Sequence, residues 1–213
     1  MKLEYVLPSD IEKRSFEIIG SELKTEIPPE IKPVVIRAIH TTADFDYAEN
    51  LYFSENVIEL AFAALEKGAL IVTDTNMAKA GINKAALARH GCECVCFMAD
   101  EDIAQTAKAN GTTRAAASVD KAAKLGRPVI YAVGNAPTAL VRLCDHISAG
   151  SFIPELVIGA PVGFVNVVQS KEMLIASRVP CIVARGRKGG SNVAAAICNA
   201  LLYMLDDKKG FKK

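Results

Sequence analysis

The chain's length and composition predict one well-buried globular domain over 1–213, since 51% of its 213 residues are hydrophobic and none is tryptophan. Its 25 Lys and Arg balance 24 Asp and Glu, so no bulk positive field exists for nucleic acid, and an anionic ligand requires a local cluster of cations. The chain does not begin with the apolar core of a signal peptide. Its longest nearly uncharged apolar stretch, 156–168, is shorter than the roughly 20 residues of a membrane helix. We therefore expect a cytoplasmic protein without membrane spans.

The first predicted helix follows Ser9 and Glu12, which have the spacing of a capping box. The apolar period of this helix then places four residues on its inward face: Ile11, Ser15, Ile18 and Ile19. Ser15 is therefore expected to point toward the core or a cleft.

The segment 31–42 admits two interpretations, because residues 34–36 favour a strand whereas the apolar residues at 31, 35, 38 and 39 follow a helical period. We favour the helix, since the nearby prolines are tolerated in or before a first turn. Arg37 and His40 are then neighbours on one face, whereas a strand would separate them. A second helix is predicted after Ser54, with these residues inward: Val57, Ala61, Ala64 and Leu65.

Five short apolar runs alternate with helical patterns through the rest of the chain, at 69–73, 94–98, 128–133, 156–159 and 181–184. This alternation predicts an α/β, Rossmann-like fold, in which an open, mostly parallel sheet of about five strands is flanked by helices. The last helix is predicted to begin at Ser191 or Asn192 and to end before a short lysine-rich tail, 207–213.

Six cysteines occur, and without a signal peptide we expect them to be reduced. Cys92, Cys94 and Cys96 alternate, which on a strand could place three thiols on one face as metal ligands. Their spacing is not that of a zinc site, however, and Val95 and Phe97 favour a buried strand in which cysteine serves as a small hydrophobe. We therefore expect no protein-bound metal.

Only one of the three histidines, His40, lies in a polar stretch, 37–44. An imidazole exchanges protons near neutral pH, and Arg37 one turn away could hold an anionic substrate, so His40 is the candidate acid and base. His90 is expected to cap the last carbonyls of a helix, and His146 to occupy an ordinary helix position.

Loops that follow strands collect ligands in open α/β sheets, and here four of them carry polar residues or glycine: 74–77, 134–138, 159–164 and 185–191. Glycine lets backbone amides approach a ligand, and Asn135 with Thr138 could present polar groups at the start of a helix. Each loop could instead be ordinary turn chemistry. Asn135 is the candidate binding residue among them.

Arg114 is predicted in the first turn of an alanine-rich helix, where a cation is unfavourable to the helix dipole. A guanidinium placed there suits two-point binding of a carboxylate, although a solvated surface arginine is the alternative. No dinucleotide fingerprint, phosphate-binding loop or serine elbow is present. Nothing in the sequence therefore requires NAD, ATP or a covalent nucleophile.

Several strings together, in this order, resemble the precorrin-8X methylmutase family across nearly the whole chain: Arg14-Ser-Phe16, Arg37-Ala-Ile-His40, Thr112-Thr-Arg114, Gly134-Asn-Ala-Pro-Thr-Ala-Leu140, Pro161-Val-Gly-Phe164 and Arg185-Gly-Arg-Lys-Gly-Gly-Ser191. The resemblance implies movement of a methyl group from C-11 to C-12 of precorrin-8 or its cobalt form, which yields hydrogenobyrinate or cobyrinate without an external cofactor. The stretch 41–47 looks more like the branch in which the substrate already holds cobalt.

The resemblance also assigns roles to individual residues. His40 matches the histidine proposed to protonate the macrocycle and assist a [1,5]-sigmatropic shift, Ser15 and Arg37 match substrate contacts, and Arg114 matches a further arginine. It further implies a homodimer. Two other functions fit the same residues: a corrinoid carrier, which would tolerate loss of His40, and an unrelated Rossmann-like enzyme that binds a nucleotide through the Gly-Arg-Lys-Gly-Gly loop at 186–190.

Overall fold

The computed structural model describes residues 3–211, and within that range a six-stranded sheet is packed between helices. The strands are β1 Leu51–Phe53, β2 Leu70–Thr73, β3 Glu93–Val95, β4 Val129–Val133, β5 Leu156–Gly159 and β6 Cys181–Ala184. The helices are α1 Ile11–Glu22, α2 Lys32–Thr42, α3 Tyr47–Asn50, α4 Val57–Glu66, α5 Asn76–Gly81, α6 Lys84–Arg89, α7 Glu101–Ala109, α8 Arg114–Ala122, α9 Pro137–Ser148, α10 Val167–Ala176 and α11 Ser191–Lys209.

The sheet has the strand order β1-β6-β5-β4-β2-β3, and its five C-terminal strands are parallel, which confirms the α/β prediction. The sixth strand was not predicted. It is β1, which pairs antiparallel with β6 and places Leu51 opposite Ala184. Its three residues lie between the polar residues Asn50 and Ser54, so they form a shorter apolar run than the five that marked the other strands.

Alternate residues of the central strands point to opposite faces of the sheet, where they pack in two separate hydrophobic cores. Ile71 and Ile130 belong to the larger core, which α2, α4 and α11 cover, while Val72 and Tyr131 belong to the smaller one, under α8, α9 and α10. Both faces of the parallel strands are thus buried. The carboxyl ends of these strands remain as an edge on which a site can be built.

Helix α1 departs from its predicted orientation. Ser9 lies in a short 3₁₀ turn, and the helix begins after Asp10 without a side-chain cap, so the capping box does not form. Ile11 and Ile18 are 53% and 38% exposed, and Ile19 alone of the predicted inward face is buried. The helix packs on α2 and contacts the core through Ile19 together with Phe16 and Leu23, two residues that were not predicted to face inward.

Helix α2 confirms the helical interpretation of the segment 31–42. It buries Val35 and Ile39 against the core and packs along α11. It ends at Thr42, and the next residue, Ala43, adopts a left-handed conformation with φ 53° and donates its N–H to the carbonyl of Ile39 (2.7 Å). Helix α4 likewise buries the four residues predicted to face inward: Val57, Ala61, Ala64 and Leu65.

Helix α11 begins at Ser191 as predicted but continues to Lys209, so the first part of the predicted tail is helical. Lysines near the C-terminus suit the helix dipole, and Gly210, with φ 72°, follows the last turn. His90 does not cap carbonyls as expected. Its Nε2 lies 2.8 Å from Asp206 of α11, and Arg89 pairs with the same carboxylate and lowers its pKa.

The cysteines of the 92–96 segment are free thiols. Cys92 and Cys96 are buried, and burial raises the pKa of the half-buried Cys94 to about 12, which disfavours the thiolate a metal requires. Over residues 3–211, no group of three or more His, Cys, Asp or Glu side chains is arranged to hold a metal ion. The same range contains no helix long and apolar enough to cross a membrane.

Candidate functional site

The carboxyl ends of β2, β4, β5 and β6 present the four predicted loops along one edge of the sheet. Two glycines show how tightly these loops approach one another. A Cβ atom at Gly134 would lie 2.6 Å from the Cα of Ser191, and one at Gly189 would lie 2.2 Å from the carbonyl oxygen of Ala160. Only glycine fits at either position, because the approaching atoms belong to backbone.

Asp74, directly after β2, organises the loop between β4 and α9. Its carboxylate accepts the backbone N–H groups of Gly134, Asn135 and Ala136 at 2.7–2.8 Å. Burial raises the pKa of Asp74, while these three donors act in the opposite direction. The amides that we expected to approach a ligand are therefore already satisfied, and the loop offers side chains instead.

His40 lies near the end of α2 with its side chain exposed. It opens onto a pocket of about 260 Å³ between α1, α2, α5 and α11, whose other lining residues are Glu12, Arg37, Thr41, Gly81, Asn192, Ala195, Ala196 and Asn199. Phe16 meets the imidazole edge to face, with ring centroids 5.2 Å apart. No hydrogen bond to the ring is made within residues 3–211, so both of its nitrogens are available to a ligand.

Arg37 lies one turn before His40, as predicted, and only 14% of its side chain is exposed. Its guanidinium lies over the rings of Phe16 and Tyr203, at 5.1 and 4.7 Å from their centroids, and Nη1 donates to Glu12 (3.0 Å). Contact with two aromatic rings limits the orientations open to the guanidinium. Arg37 is thus held beside His40, although part of its charge is balanced by Glu12.

Ser15 is half-buried on α1, beside the Phe16 that contacts His40. Its hydroxyl donates to the carbonyl of Ile11 (2.9 Å), and it is not among the residues that line the His40 pocket. The hydroxyl can still accept a hydrogen bond.

Arg114 and Asn135 lie apart from these residues, toward the α8 and α9 side of the same edge, and both are exposed. The starts of the two helices are joined by Thr113 and Thr138, whose hydroxyl oxygens are 2.9 Å apart. A pocket of about 680 Å³ lies beside that contact and includes Thr112, both of these threonines and Asn166 in its lining.

A continuous chain of contacts connects the two groups of candidate residues. Asn192 lines the His40 pocket, and its neighbour Ser191 places its hydroxyl 2.7 Å from that of Thr75 and packs against Gly134. Gly134 precedes Asn135. The predicted site residues therefore lie along one edge of the sheet, with His40, Arg37 and Ser15 toward one end and Arg114 and Asn135 toward the other.

The loop 185–190, which we call the cationic loop, is fixed by residues that the sequence did not reveal. Lys171 of α10 is fully buried, and its Nζ donates to the carbonyls of Gly186 (2.8 Å) and Lys188 (2.9 Å). Burial lowers the pKa of Lys171 to about 8. Lys188 in turn reaches Asp44 and Asp46, just past the end of the helix that carries His40. The loop is thereby tied to the His40 end of the site.

A further pocket, of about 620 Å³, lies between the end of α1 and residues 45–49 and contains none of the candidate site residues. Its lining is the chain around Ser21–Thr25 together with Phe45, Asp46, Ala48 and Glu49. Of the titratable residues that line this pocket, Asp46 alone also contacts the loops at the carboxyl edge of the sheet, through its ion pair with Lys188. The candidate residues therefore lie at the edge of the sheet and not in this pocket.

Comparison with known proteins gives one consistent result. Residues 10–204 match the family model described as CbiC, precorrin-8X methylmutase. A cobalt-precorrin-8 methylmutase of Salmonella typhimurium is 45% identical, covering 93% of this chain and 96% of that protein, and one of Priestia megaterium is 42% identical, covering 94% and 90%. The crystal structure of precorrin-8X methylmutase from Thermus thermophilus matches with a TM-score of 0.86 and 38% identity, covering 93% of this chain and 98% of that one.

Proposed function

The chain belongs to the precorrin-8X methylmutase family, and on that premise we propose that it moves a methyl group from C-11 to C-12 of a corrin precursor, with His40 as proton donor and acceptor. It is an isomerase of cobalamin biosynthesis. The product is cobyrinate or hydrogenobyrinate, according to whether the substrate holds cobalt.

The role proposed for His40 is supported by the fact that its imidazole is free to contact a substrate. Its ring nitrogens have no hydrogen-bond partner within residues 3–211, and the ring contacts Phe16 edge to face beside a pocket lined mainly by polar residues. The other two histidines are engaged by carboxylates, His90 by Asp206 and His146 by Asp120. His40 is thus the imidazole free to meet a substrate.

The reaction requires one transferable proton and no net change in composition. The His40 imidazolium donates a proton to the macrocycle, the methyl group migrates in a [1,5]-sigmatropic shift, and the proton returns to the imidazole. Proton transfer by a positioned side chain contributes about 10²–10⁴-fold to such reactions. Neither an external cofactor nor a protein-bound metal enters these steps.

Four further residues are proposed to bind the substrate's side chains. Arg37 suits a carboxylate because its fork of donors is held beside His40, and Ser15 offers a hydroxyl on the adjoining helix. Arg114 and Asn135 would meet the far side of the macrocycle, as both are exposed near the Thr113–Thr138 contact. A large ligand with several carboxylates is matched by cations spread along an edge.

We propose the cobalt form as the physiological substrate. The relatives that are 45%, 42% and 39% identical are named cobalt-precorrin-8 methylmutases, whereas that of Pseudomonas aeruginosa, at 36%, is named precorrin-8X methylmutase. Cobalt would enter inside the substrate.

The test is to incubate the purified protein anaerobically with cobalt-precorrin-8 and with precorrin-8, and to follow conversion in the visible spectrum. We expect His40→Ala and His40→Asn to lower kcat by about 10²-fold or more while tetrapyrrole binding persists. His146→Gln is the matched control, since His146 is bound to Asp120 away from the His40 pocket, and should retain activity.

Other results would assign the protein differently. Binding of tetrapyrrole without conversion by the wild type would indicate a carrier, and full activity of both His40 variants would remove His40 from the chemistry. Binding of a nucleotide in place of the tetrapyrrole would favour the nucleotide enzyme.

We also propose that the protein works in the cytoplasm as a homodimer. Four large apolar side chains near the N-terminus are exposed, as expected of a surface that a second copy covers: Leu3 at 91%, Tyr5 at 89%, Leu7 at 55% and Ile11 at 53%.

A further inference from the structure

We infer that Arg187 and Phe164 form a second substrate-contact patch, in which Arg187 binds a side-chain carboxylate of the tetrapyrrole and Phe164 contacts an apolar face of it. This inference rests on the proposed function, since it assigns a role to residues of the same edge of the sheet.

The charges of the cationic loop single out Arg187. Arg185 is bound to Glu172, with Nη2 2.7 Å from Oε2, and Lys188 lies 2.6 Å from a carboxylate oxygen of each of Asp44 and Asp46. Arg187 is exposed and makes no ion pair within residues 3–211. Of the three cations in the cationic loop, Arg187 is the one that has no carboxylate partner among residues 3–211.

The apolar half of the patch is the loop that follows β5. Phe164 and Val165 are 80% and 76% exposed, and Val162 is 48% exposed. Adjacent exposed side chains of this size indicate a binding surface more often than scattered single ones do. The Arg187 guanidinium lies over the Phe164 ring, 5.4 Å from its centroid, so the cation and the apolar surface form one patch.

The backbone beneath Arg187 is fixed on both sides. The buried Lys171 donates to the carbonyls of Gly186 and Lys188, the residues that flank Arg187, and the carbonyl of Arg187 itself accepts the N–H of Gly163 (3.2 Å). Gly190 donates to the carbonyl of Ala160 (2.8 Å), which ties the end of the loop to the β5 loop as well. A rigid backbone presents the Arg187 side chain in one region and lowers the entropy lost on binding.

The patch complements the ligand class of the proposed function. A corrin precursor combines a largely apolar macrocycle with carboxylates around its rim, and the patch combines an exposed aromatic ring with an unbalanced guanidinium. Because Arg185 and Lys188 are already paired, carboxylate binding here falls to Arg187. The patch also adjoins Ala160 and Gly190, whose loops form the same edge as Asn135 and the His40 pocket.

The experiment compares Arg187→Met, Arg187→Lys and Phe164→Ala with the wild type, by steady-state kinetics and by titration of the tetrapyrrole. We expect Arg187→Met to raise KM and Kd about tenfold with kcat within about twofold, as loss of a charge-assisted contact predicts. Arg187→Lys should recover part of the affinity, because it keeps the charge but not the fork. Phe164→Ala should also weaken binding.

Arg178→Met is the matched control, since Arg178 is an exposed arginine before β6, at the opposite edge of the sheet, and its loss changes net charge equally. Its kinetics should match the wild type. Both Arg187 and Phe164 are exposed, so the variants are expected to fold, which circular dichroism checks.

The outcomes separate this inference from the function on which it rests. A wild type that converts the tetrapyrrole, with Arg187→Met and Phe164→Ala unchanged in KM and Kd, would overturn the patch and leave the methylmutase intact. A fall in kcat with unchanged KM would also overturn it, because Arg187 would then act in the chemical step. A wild type that neither binds nor converts would overturn both.

Discussion

Lys171 is a residue whose burial costs free energy that its own contacts do not fully offset. It has no exposed surface and no carboxylate partner within residues 3–211, and two carbonyl oxygens solvate its ammonium. Burial lowers the pKa of Lys171 from 10.5 to about 8. The structural role of the buried Lys171 is to hold the backbone on both sides of Arg187, through its hydrogen bonds to the carbonyls of Gly186 and Lys188.

The lowered pKa of Lys171 predicts how stability changes with pH. Between about pH 8 and 10.5 the unfolded chain keeps the Lys171 proton while the folded chain releases it, so folded stability rises with pH in that window. The full rise across this window is about 3 kcal/mol, from 1.36 kcal/mol per unit of pKa. The measurement is urea denaturation of the wild type and of Lys171→Met at several pH values. We expect the difference between their unfolding free energies, wild type minus variant, to grow as the pH rises from about 8 to 10.5. A difference that stays level, or an NMR titration of the amine near its ordinary pKa, would contradict this.

Some of the site's residues could be predicted from the sequence and others could not, for a common reason. Arg37 and His40 are three residues apart, so helical geometry alone brought them together. Lys171 meets carbonyls 15 and 17 residues away, and Asp74 meets amides 60 to 62 residues away. No local pattern contains such contacts, and Lys171 looks in the sequence like any helix lysine.

Among the elements, the turn from β4 to α9 depends on Asp74, a side chain from the neighbouring strand. We expect Asp74→Asn to destabilise the protein by about 3 kcal/mol, because an amide replaces one accepting oxygen with donors that face backbone N–H groups. Hydrogen exchange at 134–136 should accelerate, and tetrapyrrole binding should weaken as Asn135 shifts. Asp145→Asn, at an exposed position on α9, should cost under about 1 kcal/mol. Equal stability of the two variants would show that the three hydrogen bonds are dispensable.

The elements that sequence patterns identified are those marked by an apolar run or by an apolar period. Five parallel strands coincide with apolar runs of four to six residues, and the helices α2, α4 and α11 repeat their apolar residues at helical spacing. Strand β1 has three residues and is defined by its pairing with β6, which lies far along the chain. The orientation of α1 was wrong because α1 packs on α2 instead of on the sheet, and Ile19 is its one buried residue.

At the scale of the whole molecule, the proposed site draws its residues from elements on both faces of the sheet. His40 comes from α2, over the larger core, and Arg114 from α8, over the smaller one, and the loops at the carboxyl edge connect them. A macrocycle spanning that edge would contact elements that pack on opposite layers. The strand order that creates this arrangement depends on contacts between distant segments, which composition and periodicity do not contain.

Self-association is the remaining property of the whole molecule that can be tested directly. We expect the wild type to have twice the 22.8 kDa mass of one chain in light scattering, and a variant with Leu3, Tyr5 and Leu7 all changed to Ser to have the mass of a monomer. Removing three large apolar side chains from an interface costs about 5 kcal/mol, which weakens association more than about a thousandfold. Ile153→Ser, at a position that is 64% exposed and remote from this segment in sequence, should remain dimeric. If the triple variant also stays dimeric, the two copies contact each other through another surface. If the wild type has the mass of a monomer, the exposed N-terminal side chains do not mediate self-association.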